Sequence, residues 1–242
     1  MMLKPEIVLP AGARLVLLRD ERVICLAQGA LYLPESKTLI VSDLHLEKGS
    51  SLARRGWFLP PYDSRTTLAL LAAIVAQIDP KRIVSLGDSF HDSHGAIRLD
   101  NECVALLAGM QRGRDFIWIS GNHDPVHARS LGGDLVENIQ IGDLVLRHEP
   151  GALGSKSEIS GHLHPCARIV RNGRAVRRRC FATDGTRMIL PAFGTLAGSL
   201  NVLDAAYAGL FATNRFQALM MGESAIFAIA HRMLVDDRPG LR

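Results

Sequence analysis

The stretch TLIVSDLHLEKGS, residues 38–50, joins an apolar run to side chains that bind metal ions. Its first four residues, TLIV, have the apolar and β-branched composition of a buried strand. Asp43 and His45 follow, two positions apart, where the strand ends. In open α/β sheets, ligands bind beyond the carboxyl ends of the strands. The stretch therefore predicts a strand that ends at a site, although a single Asp-x-His also has ordinary structural explanations.

Four later clusters repeat this composition, and two of them begin at the ends of the largely apolar segments 81–88 and 115–124. The clusters, in chain order, are Gly87-Asp88 with His91 and Asp92, Gly121-Asn122-His123-Asp124, Arg147-His148, and Gly161-His162-Leu163-His164. Each cluster alone has an incidental reading as a turn or a surface pair. Five in one chain, placed at predicted strand ends, favour one shared site.

The donor types at these clusters are carboxylate, imidazole and amide oxygen, without thiolate. Such donors suit Mn²⁺, Fe²⁺, Zn²⁺ or Ni²⁺ in an open site rather than a closed structural zinc site. Seven donors exceed the needs of one ion and suit two ions that share a carboxylate, for which Asp88 is the central candidate. The seven candidate ligands are Asp43, His45, Asp88, Asn122, His148, His162 and His164. Two such ions activate water and clamp a phosphate group.

Apolar strands alternate with helical periodicity over the first half of the chain. Short strands are predicted within residues 13–33, with fuller strands at 37–43, 81–88 and 115–124. Helices are predicted at 65–79, capped by Asp63 or Ser64, and at 96–111. The β-α-β-α-β order predicts a parallel sheet covered by helices.

The second half of the chain has shorter elements. Asn172-Gly173 predicts a hairpin turn. A short helix is expected at 203–211, a final hairpin within 216–231 and a frayed end at 236–242. We find no linker or repeat and expect one domain over residues 1–242.

Composition describes an ordinary globular protein of 242 residues, with 48% apolar and 21% charged residues. No run is long enough to span a bilayer, and the N-terminal sequence lacks the features of a signal peptide. The four cysteines form no CxxC pair, which is typical of free thiols in a reducing compartment. We therefore expect a cytoplasmic protein without a membrane segment. The net charge of +4 permits a polyanionic partner.

The motif series DLH, GD, GNHD, H and GHLH resembles the signature of the calcineurin-like metallophosphoesterase superfamily. This resemblance implies an α/β (α+β) fold, a four-layer β-sandwich flanked by helices. More narrowly, the segments DLHLEKG, LPPYDSR, GDSFHD, SGNHDP and LPAFG resemble the bacterial ligase-associated DNA damage response endonuclease family. That resemblance implies partners among DNA-repair ligases or helicases.

The superfamily resemblance also implies a role for each candidate ligand. One metal ion would be held by Asp43, His45 and His164, the other by Asn122, His148 and His162, with Asp88 bridging. His123 would donate a proton to the leaving oxygen, which is worth about 10²–10⁴-fold in rate.

One departure from the phosphoprotein phosphatases of the superfamily is informative. Three residues after the bridging aspartate, those enzymes usually have an aspartate that orients the general acid. Here that position is His91, as in the DNA-repair nucleases of the superfamily, so we expect His91 to act on a nucleic-acid phosphate. Asp92 and Asp124 are candidates for orienting His123, and local capping is the alternative role for both.

Arginines crowd the segment that follows the last cluster: Arg168, Arg171, Arg174, Arg177, Arg178 and Arg179. Arginine suits phosphate oxygens, so this segment predicts a track for a DNA backbone. Lys48, Arg54 and Arg55 would extend it from the first cluster. A solvated strand face that protects a sheet edge is the alternative. Glu47 and Lys48 are explained equally well as charges at a helix start or as substrate contacts.

The favoured hypothesis is a two-metal phosphodiesterase or nuclease acting on DNA, with Mn²⁺ as the expected ion. One alternative is a small-molecule phosphoesterase for cyclic nucleotides or nucleotide sugars, since the same ions would serve. The other is a non-catalytic, metal-dependent DNA-binding subunit, which a complete ligand set and general acid argue against. The sequence leaves open the oligomeric state, including a homo-oligomer.

Overall fold

The computed structural model describes residues 9–57, 59, 62–122, 131–152 and 157–237. Within these residues, two β-sheets pack face to face. The mixed α/β architecture, with large sheets and few helices, confirms the predicted sandwich class.

The first sheet contains seven strands in chain order, β1 to β7. Strands β1 to β4 pair antiparallel, and β4 to β7 pair parallel. This confirms the predicted parallel sheet and adds an antiparallel edge to it. The strands are β1 (Arg14–Leu18), β2 (Glu21–Cys25), β3 (Leu31–Leu33), β4 (Thr38–Val41), β5 (Arg82–Leu86), β6 (Asp115–Ile119) and β7 (Asp134–Val136).

Helices cover the outer face of this sheet, where apolar residues of α2 and α4 pack on Leu39, Ile83 and Trp118. The helices are α1 (Lys48–Ala53), α2 (Asp63–Ile78), α3 (Gly95–Arg98) and α4 (Asn101–Gln111). The helix predicted at 96–111 is broken, because Asp100 leaves the helical conformation and its side chain caps α4 at the amide of Cys103.

The predicted caps of α2 have a different role. The first helical residue is Asp63, and Tyr62 is the N-cap without a side-chain hydrogen bond. Asp63 instead accepts a hydrogen bond from the amide of Gly49 at 3.0 Å, so it joins α2 to α1.

The second sheet runs β14-β11-β12-β13-β10-β9-β8, and β12 also pairs with β15, which pairs with β16. Its strands are β8 (Asn138–Ile141), β9 (Leu144–Arg147), β10 (Ser157–Ser160), β11 (Pro165–Arg171), β12 (Arg174–Thr183), β13 (Arg187–Ile189), β14 (Leu200–Asn201), β15 (Gln217–Met221) and β16 (Ile226–Ala230). The Asn172-Gly173 hairpin and the final hairpin are confirmed.

Two expectations for the second half need correction in part. Residues 203–211 form only a short 3₁₀ turn, Ala205–Tyr207, because the chain turns at Gly209 (φ 75°) and buries Tyr207 against the outer face of the second sheet. The chain end is not frayed at Asp236 and Asp237, which contact β11 and β12 as described below. Residues 238–242 lie outside the described residues.

A second core lies between the sheets. Leu18, Ile40 and Val84 of the first sheet form one cluster with residues of the second sheet, including Leu146 and Phe181. This contact brings the ends of β4 and β5 next to those of β9 and β10. No helix in the described part of the chain is long and apolar enough to cross a bilayer. That residues 1–242 form one domain stays a prediction.

Candidate metal centre

The loops after β4 and β5 are joined by backbone hydrogen bonds. The amides of Asp43 and His45 donate to the carbonyls of Gly87 and Asp88, at 3.2 and 3.0 Å. The amide of Leu46 donates to Ser89 at 2.9 Å. These bonds fix three candidate ligands, Asp43, His45 and Asp88, in one register.

A left-handed backbone is common to five of the candidate ligands. Their φ angles are 52° at Asp43, 44° at His45, 45° at Asp88, 69° at His162 and 46° at His164. Residues other than glycine adopt this conformation at a cost of about 1–3 kcal/mol each and persist in it where the surrounding structure requires it. The local backbone is therefore shaped to turn these side chains toward one another.

The first group of donors is Asp43, His45 and His164, whose ligand atoms all lie within 4.8 Å of one another. The Nε2 atoms of His45 and His164 are 3.1 Å apart, and His164 Nε2 lies 3.3 Å from Asp43 Oδ1. Asp43 is fully buried, and its Oδ2 accepts a hydrogen bond from Ser42 Oγ at 2.5 Å. One carboxylate and two imidazoles facing a common space could hold a divalent cation.

Electrostatics in this group favour the protonation states that bind metal. Burial lowers the pKa of His45 to about 4, so its ring is neutral near pH 7. Burial opposes ionisation of Asp43, but contacts with His164, His148 and Ser42 outweigh it and leave the pKa of Asp43 below its usual value. Neutral imidazole and ionised carboxylate are the metal-binding forms.

The second group is Asp88, His148 and His162, again with ligand atoms within 4.8 Å of one another. His148 Nε2 lies 3.5 Å from Asp88 Oδ1 and 3.1 Å from His162 Nδ1. On the other side of its ring, His148 Nδ1 lies 2.8 Å from the carbonyl oxygen of Leu86. Because a carbonyl only accepts, Nδ1 carries the proton and Nε2 keeps its lone pair for a metal ion.

The two groups adjoin. His148 Nδ1 lies 3.9 Å from Asp43 Oδ1, and the amide of His162 donates to Asp43 Oδ2 at 3.0 Å. Gly161 makes this approach feasible, since a Cβ atom at that position would overlap Ser42 Oγ and the Asp43 carboxylate. Six of the seven predicted ligands are thus brought together at one end of the sandwich.

The seventh predicted ligand, Asn122, lies beside the second group. A residue that the sequence did not indicate, Glu149, connects the two. Asn122 Nδ2 donates to Glu149 Oε1 at 2.7 Å, and the same oxygen lies 4.0 Å from His162 Nε2. The bond from Asn122 lowers the pKa of Glu149. The one feature of the sequence that points to Glu149 is its position directly after the candidate ligand His148.

The other predicted catalytic residues have mixed outcomes. His91 lies beside the first group, with its ring centroid 6.0 Å from that of His45. Asp92 forms a two-pronged ion pair with Arg98, at 2.9 and 2.8 Å, which holds the pKa of Asp92 below its usual value against the opposing effect of burial. His123 and Asp124 lie outside the described residues.

Glu47, which the sequence left open, occupies the N-cap position of α1 with φ 64°. Its carboxylate accepts hydrogen bonds from Ser50 Oγ at 2.6 Å and Ser64 Oγ at 2.8 Å. Glu47 therefore marks a helix start and joins α1 to α2.

The predicted phosphate-binding arginines differ in their surroundings. Arg168 and Arg177 contact the C-terminal segment: Arg168 donates to the Asp236 carbonyl at 2.6 Å and Arg177 to the Asp237 carboxylate at 3.1 Å. Five others are exposed, three on the β11–β12 hairpin and two on the turn after α1: Arg171, Arg174, Arg178, Arg54 and Arg55. Arg179 is partly buried and donates to the carbonyl of Ala192 at 2.8 Å.

Comparison with known proteins places this arrangement in a family. A family model described as calcineurin-like phosphoesterase matches residues 36–171, more than half of the chain. The crystal structure of Pseudomonas putida nuclease MPE is similar with a TM-score of 0.68 and 24% identity, covering 89% of this chain and 100% of that one. The E. coli phosphoesterase Yfce gives a TM-score of 0.43 and 14% identity over 80% of this chain and 98% of its own. No curated protein matches the chain in sequence. The protein belongs to the calcineurin-like phosphoesterase family, whose members hydrolyse phosphoric esters.

Proposed function

We propose that this protein is a two-metal phosphodiesterase that cleaves DNA, of the type of the ligase-associated DNA damage response endonucleases. The observation that carries the proposal is the pair of adjoining carboxylate–imidazole groups at one end of the sandwich. Similarity in fold to the Pseudomonas putida nuclease over 89% of the chain supports a nucleic-acid substrate.

The residues present fit two divalent ions in number and chemistry. Asp43, His45 and His164 would hold one ion. The other ion would be held by Asn122, His148 and His162, and Asp88 would be the carboxylate that both ions share. When bound, two such ions supply an activated water and neutralise the charge of the phosphate. We propose Mn²⁺ as the native ion, with Fe²⁺, Zn²⁺ and Ni²⁺ as alternatives, since these donor types accept all four.

Two histidines of the chain would act on the substrate. His123 would donate a proton to the leaving oxygen, because an alkoxide is a poor leaving group at neutral pH. His91, beside His45, would donate a hydrogen bond to a non-bridging phosphate oxygen. This role follows from the resemblance to the DNA-repair nucleases of the superfamily, which have a histidine at the position where related phosphatases have an aspartate.

Exposed arginines would bind the DNA backbone. Arg171 and Arg178 on the β11–β12 hairpin, and Arg54 and Arg55 after α1, present guanidinium groups to solvent. Exposed guanidinium groups bind phosphate oxygens without reading sequence. This part of the proposal predicts affinity that falls steeply with salt.

The test is Mn²⁺-dependent hydrolysis of a generic phosphodiester, a phosphomonoester, and single- and double-stranded DNA. We expect the wild type to cleave the diester and DNA. Asp88→Asn should lose at least about 100-fold in activity, because loss of the shared carboxylate weakens the binding of both ions. Asp20→Asn, a change of an exposed carboxylate in the β1–β2 turn, is the control for net charge and should cleave normally.

Three outcomes would contradict the proposal in different ways. Full activity of Asp88→Asn would overturn the two-metal site. Monoester hydrolysis without DNA cleavage would favour the small-molecule phosphoesterase. We expect His91→Asp to raise the ratio of monoester to diester hydrolysis, and an unchanged ratio would remove His91 from the mechanism.

The remaining parts of the proposal concern the cell. Four buried free cysteines suit a reducing compartment, which supports a cytoplasmic location. A role in DNA repair with a ligase or helicase partner rests on the resemblance of the sequence motifs.

A further inference from the structure

Tyr207, from the C-terminal part of the chain, reaches the loop that carries two candidate ligands. It lies in the 3₁₀ turn Ala205–Tyr207, beyond the segment 36–171 that the family model matches. Its hydroxyl donates a hydrogen bond to the carbonyl oxygen of Leu163 at 2.9 Å. The residue that Tyr207 contacts, Leu163, therefore has a candidate ligand on either side of it in the chain.

Leu163 separates His162 from His164, and these two histidines belong to different donor groups. Both have left-handed backbones, with φ of 69° and 46°. The orientation of the Leu163 peptide thus sets the direction of one ligand in each group at once. A single hydrogen bond to this carbonyl acts on both halves of the site.

The position of Tyr207 is itself well determined. Its side chain is 5% exposed and packs in a cluster with Ala167, Cys180 and Phe216. The side chain of Asp204 caps the turn by accepting from the amide of Ala206 at 3.0 Å. Burial raises the pKa of Tyr207, so the phenol stays protonated and donates. A rigid donor of this kind can hold a strained loop.

Within the described part of the chain, the other hydrogen bonds of the loop engage groups other than the Leu163 carbonyl. The amide of Gly161 donates to the carbonyl of His148, and the amide of Leu200 to the carbonyl of His164, at 2.9 and 3.0 Å. The amide of His162 donates to Asp43. Together with the bond from the amide of Leu163 to the carbonyl of Gly161 at 2.8 Å, these bonds hold the backbone of the loop, and the bond from Tyr207 holds the Leu163 carbonyl.

We propose that Tyr207 is a positioning residue that holds His162 and His164 in metal-binding orientation, and so tunes the affinity of both ions together. The inference rests on the proposed two-metal function. It assigns a role in the site to a segment that lies outside the family-matched part of the chain.

The test is Mn²⁺ binding to the full chain by isothermal titration calorimetry, with Tyr207→Phe compared with the wild type. The variant keeps the packed ring and removes only the hydroxyl. We expect both dissociation constants to rise by about 10- to 100-fold, the usual cost of losing a partner that orients metal ligands. Diesterase activity should fall at limiting Mn²⁺ and recover at saturating Mn²⁺, with the KM for substrate unchanged.

Thr183→Val is the matched control. Thr183 is buried, and its hydroxyl donates to the backbone carbonyl of Arg187 at 2.7 Å, away from the histidine loop. Its loss should lower the melting temperature without changing Mn²⁺ affinity. If Tyr207→Phe does not fold, Asp204→Ala loosens the turn while keeping the hydroxyl, and both dissociation constants should rise by a smaller factor.

The outcomes separate the two proposals. A wild type that binds fewer than two ions would overturn the proposed function. A wild type that binds two ions, with unchanged affinities in Tyr207→Phe or, where that variant is unfolded, in Asp204→Ala, would overturn the role of Tyr207 alone. A rise in only one dissociation constant would overturn joint control of both ions.

Discussion

At the scale of single residues, the donor atoms of the site are oriented by hydrogen bonds on the side away from it. His148 is held through Nδ1 by the Leu86 carbonyl, and Asp43 by Ser42. Asn122 is held through Nδ2 by Glu149. An amide whose nitrogen is engaged in this way presents its oxygen, which is the atom that binds metal ions. Partners that orient metal ligands in this way matter for metal affinity nearly as much as the ligands themselves.

Glu149 should therefore be needed for its hydrogen-bond acceptor rather than for its charge. We expect Glu149→Ala to lower the affinity for one of the two Mn²⁺ ions by about 10- to 100-fold, because the Asn122 amide is then free to turn. Glu149→Gln retains an acceptor oxygen and should restore most of the affinity. Calorimetric titration with Mn²⁺ measures both.

Equal loss in both variants would show that Glu149 acts through its charge, as a ligand would. Normal binding in Glu149→Ala would show that Asn122 needs no orienting partner.

At the scale of elements, the C-terminal segment covers part of the basic β11–β12 hairpin. The amide of Val235 donates a hydrogen bond to the carbonyl of Arg168 at 2.9 Å, so the C-terminal segment lies along β11. The Asp237 carboxylate then pairs with Arg177 at 3.1 Å. A carboxylate in this place competes with a phosphate for the same guanidinium.

Removal of that charge should strengthen DNA binding. We expect Asp237→Asn to gain about 0.2–1 kcal/mol of binding free energy, up to about fivefold in affinity, because exposed ion pairs are worth this much. Fluorescence anisotropy with labelled DNA and chelator, which prevents cleavage, measures the effect. The gain should vanish at high salt.

Asp20→Asn changes the net charge equally in the first sheet and is the matched control. An equal gain in both variants would trace the effect to net charge, and no gain in Asp237→Asn would show that Arg177 does not contact DNA.

At the scale of the whole molecule, the site exists because two sheets share one core. Asp43, His45 and Asp88 follow strands of the first sheet, whereas His148 and His162 follow strands of the second. The core between the sheets, with Ile40 and Leu146 in one cluster, brings these strand ends together. Buried titratable groups at this junction link the stability of the fold to pH.

The metal-free protein should lose stability as the pH falls from 6.5 toward 4. His45 has an ordinary pKa of 6.5, and burial lowers it to about 4 in the folded chain. Between these values the unfolded chain binds a proton that the folded chain does not, so the free energy of unfolding decreases as the pH falls. Thermal denaturation with chelator at pH 7 and pH 5 measures this decrease.

His45→Asn should show a smaller decrease between these pH values than the wild type. His94→Asn, a change of an exposed histidine, is the control and should follow the wild type. An identical pH dependence in His45→Asn would contradict the prediction.

Much of the fold could be predicted because local pattern decides it. Continuous apolar runs predicted β4, β5 and β6, and Asn172-Gly173 predicted the β11–β12 turn. The predicted helix at 203–211 failed because its apolar residues, including Tyr207, serve the packing on the second sheet rather than a helix of their own. Tertiary packing overrides local propensity in so short a segment.

The sequence by itself determined the donor types of the site and the strand ends that carry them, since both depend on residue identity and local periodicity. The family resemblance implied how those donors divide into two groups, but only the tertiary structure brings the members of each group together, because His45 meets His164 across 119 positions of sequence. It alone also revealed Glu149 and Tyr207, which act through single hydrogen bonds to Asn122 and Leu163. Such bonds depend on distances and directions between distant segments, and these exist only once the two sheets have packed together.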